Sequence, residues 1–147
     1  MTDASRQVQV AYVDTSAFVK LAVEEPESTG LRSFLGTWAV RASSALLRTE
    51  SIRATRRHGA DAVAAARREL RSVTLVALTD ELLDAAALLD PVSIRSLDAI
   101  HLATARSLGA DVGVVVTYDD RMADAARGVG LEVASPSEPR DDTGSSG

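Results

Sequence analysis

Residues 112–117 read VGVVVT, a run that would be apolar on both faces of a strand. A strand with one wet face alternates apolar and polar residues, so an unbroken run belongs in a sheet covered on both sides, which is the habit of parallel sheets. Shorter β-rich runs occur at residues 8–13 (Val8, Val10, Tyr12, Val13), 38–42, 73–78 and 131–134, each separated from the next by helical sequence. Strand and helix in alternation predict an α/β domain of three layers, with a central parallel sheet of about five strands and helices on both faces.

The helical segments carry their own punctuation. Thr15 or Ser16 can cap a helix running through Phe18 and Leu21, and Pro26 suits the first turn of a short helix ended by Gly36. Ser43 or Ser44 is expected to cap an arginine-rich helix through His58, where Gly59 breaks the pattern before a helix from Asp61 to about Arg71. Thr79 opens another, ended by Pro91. Ser96 caps one through Leu108 with Gly109 as its stop, and Asp119 or Asp120 caps the last, to Arg127.

The chain of 147 residues has the length of one domain, expected over residues 1–135. The remainder, 136–147, is rich in Pro, Ser, Gly and Asp and offers nothing to pack, so a disordered tail is expected. There is no cysteine, which excludes a disulfide framework and a thiolate zinc site. No apolar run approaches the ~20 residues that cross a bilayer, and the start MTDASRQVQV lacks the pattern of a signal peptide, so the expected location is the cytoplasm.

Four carboxylates, Asp14, Glu50, Asp98 and Asp119, sit beside apolar residues rather than in solvated charge runs. Asp14 follows the first strand and Asp119 the VGVVVT strand, where open parallel sheets bind ligands. Glu50 and Asp98 lie within helices and share faces with Leu46, Leu47 and Ala54, and with Leu102 and Ala105, respectively, which turns both inward. Each has a plainer reading: Asp14 and Asp119 as helix caps, Asp98 as an acid favouring a helix dipole, Glu50 paired with Arg53 or Arg57. Convergence of the four would be costly without a cation. With carboxylate oxygens and only His58 and His101 in the chain, the donor set specifies a hard ion such as Mg²⁺ or Mn²⁺. One or two such ions can activate water and stabilise the leaving oxygen in phosphodiester cleavage.

The motifs VDTSAFVKL, ALLRTESIRATRR, SLDAIHLATA and VVTYDDRM, in that order, resemble those of PIN-domain nucleases, specifically the VapC toxins of type II toxin-antitoxin systems, over roughly residues 8–135. The resemblance implies a PIN-like fold, with Asp14, Glu50, Asp98 and Asp119 as the catalytic acidic quartet that binds Mg²⁺ or Mn²⁺, and Thr15, Ser16 and Thr117 as pocket hydroxyls. It further implies endoribonuclease cleavage of single-stranded or loop RNA, inhibition of translation, homodimerisation, and a cognate VapB-type antitoxin forming a larger toxin-antitoxin complex. A binding module that keeps the pocket but does not cleave is the alternative function. Position argues against two other acidic α/β classes, since a haloacid-dehalogenase phosphatase wants Asp-x-Asp where this chain has Asp14-Thr15-Ser16, and a receiver wants its acid pair after the first strand.

Net charge is −5, yet residues 41–71 hold eight arginines against three acids, a local +5 that leaves the rest at −10. Such a basic tract on an acidic protein fits an anionic polymer. Arg48, Arg53, Arg56 and Arg57 are the candidates for contact with RNA, with the antitoxin or second protomer as the other claimants. His101, three residues after Asp98, is expected to pack or hydrogen-bond within the helix layer rather than act as a base, Trp38 to lie in the core, and Asp120 to be a cap or a more distant ligand.

Overall fold

The computed structural model of the protein describes residues 9–137. Its strands, β1 (Val10–Val13), β2 (Val40–Ser44), β3 (Thr74–Val76), β4 (Val112–Val116) and β5 (Val133–Ala134), form one sheet in the order β3-β2-β1-β4-β5, with every pairing parallel. The helices are α1 (Thr15–Ala22), α2 (Ser28–Leu35), α3 (Leu47–Thr55), α4 (Ala60–Leu70), α5 (Asp80–Ala87), α6 (Ser96–Ser107) and α7 (Asp120–Gly128). The expected parallel α/β architecture is what the chain adopts. Val8 and residues 138–147, which include most of the expected tail, lie outside the described residues.

The pleat divides the core. Ala11 and Val13 of β1, with Val114 and Val116 of β4, pack beneath Phe18, Leu21, Leu31, Leu35, Leu47 and Ala66 of α1 to α4. Tyr12 and Val115, one residue out of phase, face Leu102, Ala105, Met122 and Ala126 of α6 and α7. Leu82 and Ala86 of α5 close against Ala99 and Ala103 of α6. Apolar residues on both sides of β1 and β4 are the reason their sequences do not alternate.

Strand order reverses at β1, which leads to β2 and β3 on one side and to β4 and β5 on the other. The crevice beyond the carboxyl ends of β1 and β4 is therefore the switch point, where connections leave in opposite directions and the sheet end is uncovered. Between these strands the register slips, Val10 pairing with Val112 but Ala11 with Val114. At the skipped Gly113 a Cβ would lie 2.5 Å from the Trp38 ring, so the residue must be glycine for the half-buried indole to cover that strand.

Several boundaries differ from expectation. The second strand runs Val40–Ser44, not 38–42, because Ser43 and Ser44 are drawn into the ladder with Leu75 and Val76; neither caps α3. Ser43 instead donates a hydrogen bond from Oγ to the Val13 carbonyl at 2.7 Å. The α1 N-cap position is Asp14, not Thr15 or Ser16, and that of α6 is Arg95, not Ser96. Pro26 lies two residues before α2 rather than starting it, and α3 tightens into a 3-10 turn over Arg56–His58. Gly59, at φ +96°, makes the expected break, as does Gly109, at φ +61°.

Candidate active site

Asp14 ends β1 at 5% exposure, and its side chain does not cap α1; its carbonyl starts that helix by accepting from the Ala17 and Phe18 amides. The carboxylate turns to β4 instead. Oδ2 accepts from Ser16 Oγ at 2.9 Å and from Thr117 Oγ1 at 2.8 Å, and the two hydroxyls are 3.1 Å apart. The backbone beyond β4 is tied to the same hydroxyls, since Tyr118 N donates to Ser16 Oγ and Asp119 N to Thr117 Oγ1. Such bonds offset part of the several kcal/mol that burying a carboxylate costs.

Asp119 is the N-cap of α7, its Oδ1 accepting from Arg121 N at 2.9 Å and Met122 N at 3.3 Å. Asp120 is left exposed as the first helical residue. Glu50, the fourth residue of α3, pairs with neither Arg53 nor Arg57. Its Oε1 accepts from Thr15 Oγ1 at 3.1 Å and lies 2.7 Å from His101 Nε2. Asp14, Glu50 and Asp119 therefore share one pattern: protein donors hold one oxygen of each carboxylate, and among the described residues the other has none.

Asp98, in the first turn of α6, is half-buried. Burial, followed by the negative charges of Asp14 and Asp119, holds its carboxyl above the usual carboxylate range, against the pull of His101 and Arg95. That field links Asp98 to the ends of β1 and β4. The hydrogen bonds through Ser16 and Thr117 join Asp14 to the start of α7, and Thr15, next in sequence, carries the connection to Glu50.

Among the described residues no lysine or arginine forms an ion pair with Asp14, Glu50, Asp98 or Asp119, and no three His, Asp or Glu side chains are gathered into a ready-made metal cluster. The residues fit a hard divalent cation through the chemistry of their donors: oxygen ligands, three of them half-anchored, with a repulsion of Asp98 by Asp14 and Asp119 that added positive charge relieves. Asp98 also edges a cleft of about 780 Å³ lined by Ile94, Arg95, Arg121 and Asp124. Asp14, Glu50 and Asp119 do not line it.

Arg53, Arg56 and Arg57 border a shallow concavity where α3 runs into its 3-10 turn, all three exposed. Arg48 is exposed but not in that group. Sequence reasoning missed the reach of His101. It is 1% exposed and bonds outside its own layer, to Tyr12 of β1 through Nδ1 at 2.7 Å and to Glu50 of α3 through Nε2. A buried histidine one turn from Asp98 was the available signal, but spacing along a helix says nothing of partners on other elements. Trp38 is half-buried against the core as expected.

The PIN domain family model matches residues 11–128. The chain is 52% identical over 126 residues to Ribonuclease VapC46 of Mycobacterium tuberculosis, spanning 86% of this chain and 97% of that one. It is 39% identical over 134 residues to Ribonuclease VapC47 of the same species, spanning 88% and 98%. Its fold is similar to that of a chain in a toxin-antitoxin complex from Klebsiella pneumoniae (TM-score 0.66, 19% identity, 88% of this chain and 99% of that one). It is also similar to M. tuberculosis VapC20, a sarcin-ricin loop cleaving toxin (TM-score 0.65, 21% identity, 80% and 95%). Acids brought to the switch point of a five-stranded parallel sheet, and this extent of identity, agree: the chain belongs to the PIN-domain family, among its VapC ribonucleases.

Proposed function

We propose that this protein is the toxin of a type II toxin-antitoxin pair, an endoribonuclease that hydrolyses RNA phosphodiesters with Mg²⁺ or Mn²⁺ held by Asp14, Glu50, Asp98 and Asp119, and so inhibits translation in the cytoplasm. The observation that carries it is the half-anchored state of three carboxylates from three elements, together with the raised carboxyl of Asp98 in the field of two of them. The bound ion would supply an activated water and neutralise the leaving oxygen. The chain's own part is geometric. Ser16 and Thr117 fix Asp14, the first turn of α7 fixes Asp119, and Thr15 with His101 fixes Glu50, so these three carboxylates need not reorganise as charge develops.

Arg53 on α3 and Arg57 in the 3-10 turn that continues it follow Glu50 at three and seven residues, which places them on one side of the helix with it. At 1.5 Å per residue the span from Glu50 to Arg57 is roughly 10 Å. That is a spacing on which phosphates flanking the scissile one can be held, with Arg56 beside them and Arg48 farther back. A VapB-type antitoxin and a second copy of the chain are the proposed protein partners, the former supported by the toxin-antitoxin complex among its structural neighbours.

Sequencing of RNA 5′ ends after brief induction, against an Asp14→Asn variant, tests the reading. Defined new ends present only with the native protein are expected. Identical ends in both would overturn it and favour a pocket that binds without cleaving.

A further inference from the structure

Glu50 has the longest side chain of the four acids and is half-buried on α3, so its carboxylate keeps its place beside Thr15 only if something restrains it. The restraint runs across the molecule. Tyr12, 1% exposed in the central strand, places its hydroxyl 2.7 Å from Nδ1 of His101, also 1% exposed, and the ring's Nε2 lies 2.7 Å from Glu50 Oε1. An ionised carboxylate only accepts, so Nε2 carries the ring proton, an assignment made from the partners. In the neutral ring Nδ1 is then the acceptor and the phenol donates to it. Burial raises the phenol's pKa far above its ordinary value, so this proton stays in place. The rings meet edge to face at 5.9 Å, which fixes the imidazole plane.

We propose that Tyr12 and His101 are positioning residues for the reaction: a buried brace running from β1 through α6 that holds one oxygen of Glu50 and keeps the other available to the cation. The inference rests on the metal-dependent reading of the site. Holding a carboxylate before the ion arrives transfers the entropy of ordering that side chain from ion binding to folding, and donors of this kind typically change metal affinity 10- to 100-fold.

The test is calorimetric titration of the full chain with Mn²⁺ in the absence of RNA, alongside kcat and KM on a cleaved RNA. His101→Gln can place an amide N–H near the former Nε2, whereas His101→Asn reaches only the Nδ1 side. We expect about a 10- to 100-fold weaker Mn²⁺ affinity for His101→Asn, recovery to within about threefold of native for His101→Gln, and a several-fold loss for Tyr12→Phe, with the effect in kcat and not in KM. A His101→Asn variant that is folded and binds Mn²⁺ as tightly as the native chain overturns the inference alone. Should His101→Asn not fold, Tyr12→Phe decides, and native affinity in it overturns the proposal. Absence of Mn²⁺ uptake by the native protein overturns the functional reading beneath it as well.

Discussion

Thr117 Oγ1 lies 2.8 Å from Asp14 Oδ2 although 103 positions separate the residues. The bond exists because β1 and β4 are neighbours and end together, Val13 pairing with Val116. Thr117 is fully buried and also accepts from the Asp119 amide, so a single hydroxyl sets the relation between two of the four acids.

Replacing it with valine, close in shape but without the hydroxyl, leaves the Asp119 amide unpaired and Asp14 held by Ser16 alone. We expect a stability loss of about 1–3 kcal/mol and a fall in kcat/KM of roughly tenfold to a hundredfold, with Thr117→Ser retaining most of both. Urea unfolding and RNA cleavage rates on the two variants check this.

Asp98 makes the opposite prediction for stability. Its carboxyl is raised in the folded state, so the folded protein resists the charged form; the resulting penalty is absent below the ordinary carboxylate pKa, grows as pH rises through the interval up to the folded value, and is complete above it. Asp98→Asn is therefore expected to raise the melting temperature of chelator-treated protein at neutral pH, by a gain under about 1 kcal/mol since the residue is only half-buried, while abolishing cleavage. The gain should vanish near pH 3. An unaltered difference between variants across that range would count against shared charge in the cleft.

Divalent cations should act on the same protein in the reverse sense. An ion that binds only the folded chain adds about 2.7 kcal/mol of stability at a hundred times its Kd. We expect melting temperature to climb with added Mn²⁺, the increase to disappear with chelator, and Asp14→Asn to show little of it, all measurable by thermal unfolding without substrate.

For the arginines the readout is salt. If Arg53 and Arg57 each neutralise one phosphate, Arg53→Ala with Arg57→Ala should weaken binding to unrelated RNAs alike and lower the slope of log affinity on log salt by about 0.7 per contact. Fluorescence anisotropy with a catalytically inactive variant measures it. A loss confined to one sequence would mean base recognition instead.

The sheet could be read from the chain because its central strands are buried on both faces, which writes them as apolar runs; Asp14 and Asp119 were legible as acids at the ends of two such runs. Ser43 and Ser44 were not legible as strand. Two serines before a helix carry the local signature of a cap, and only pairing with Leu75 and Val76, a tertiary effect, places them in β2. Glu50 was rightly turned inward by the face it shares with Leu46 and Ala54, but its partner was not predicted, because Arg53 and Arg57 are near in sequence and His101 is 51 residues away. Local pairs are visible in spacing; a bond across three elements is visible only once they have packed.

The strand order also has a temporal meaning. β4 lies beside β1 in the sheet, yet residues 14–111, with two other strands and six of the seven helices, are synthesised between them. Until the last quarter of the chain has left the ribosome, Asp14 has no Thr117 to hold it and the first three acids have no fourth. A long-range parallel pairing of this kind is also slow to form. A growing chain therefore lacks the assembled pocket until β4 has emerged and paired with β1, so the proposed site is among the last parts of the fold to be completed.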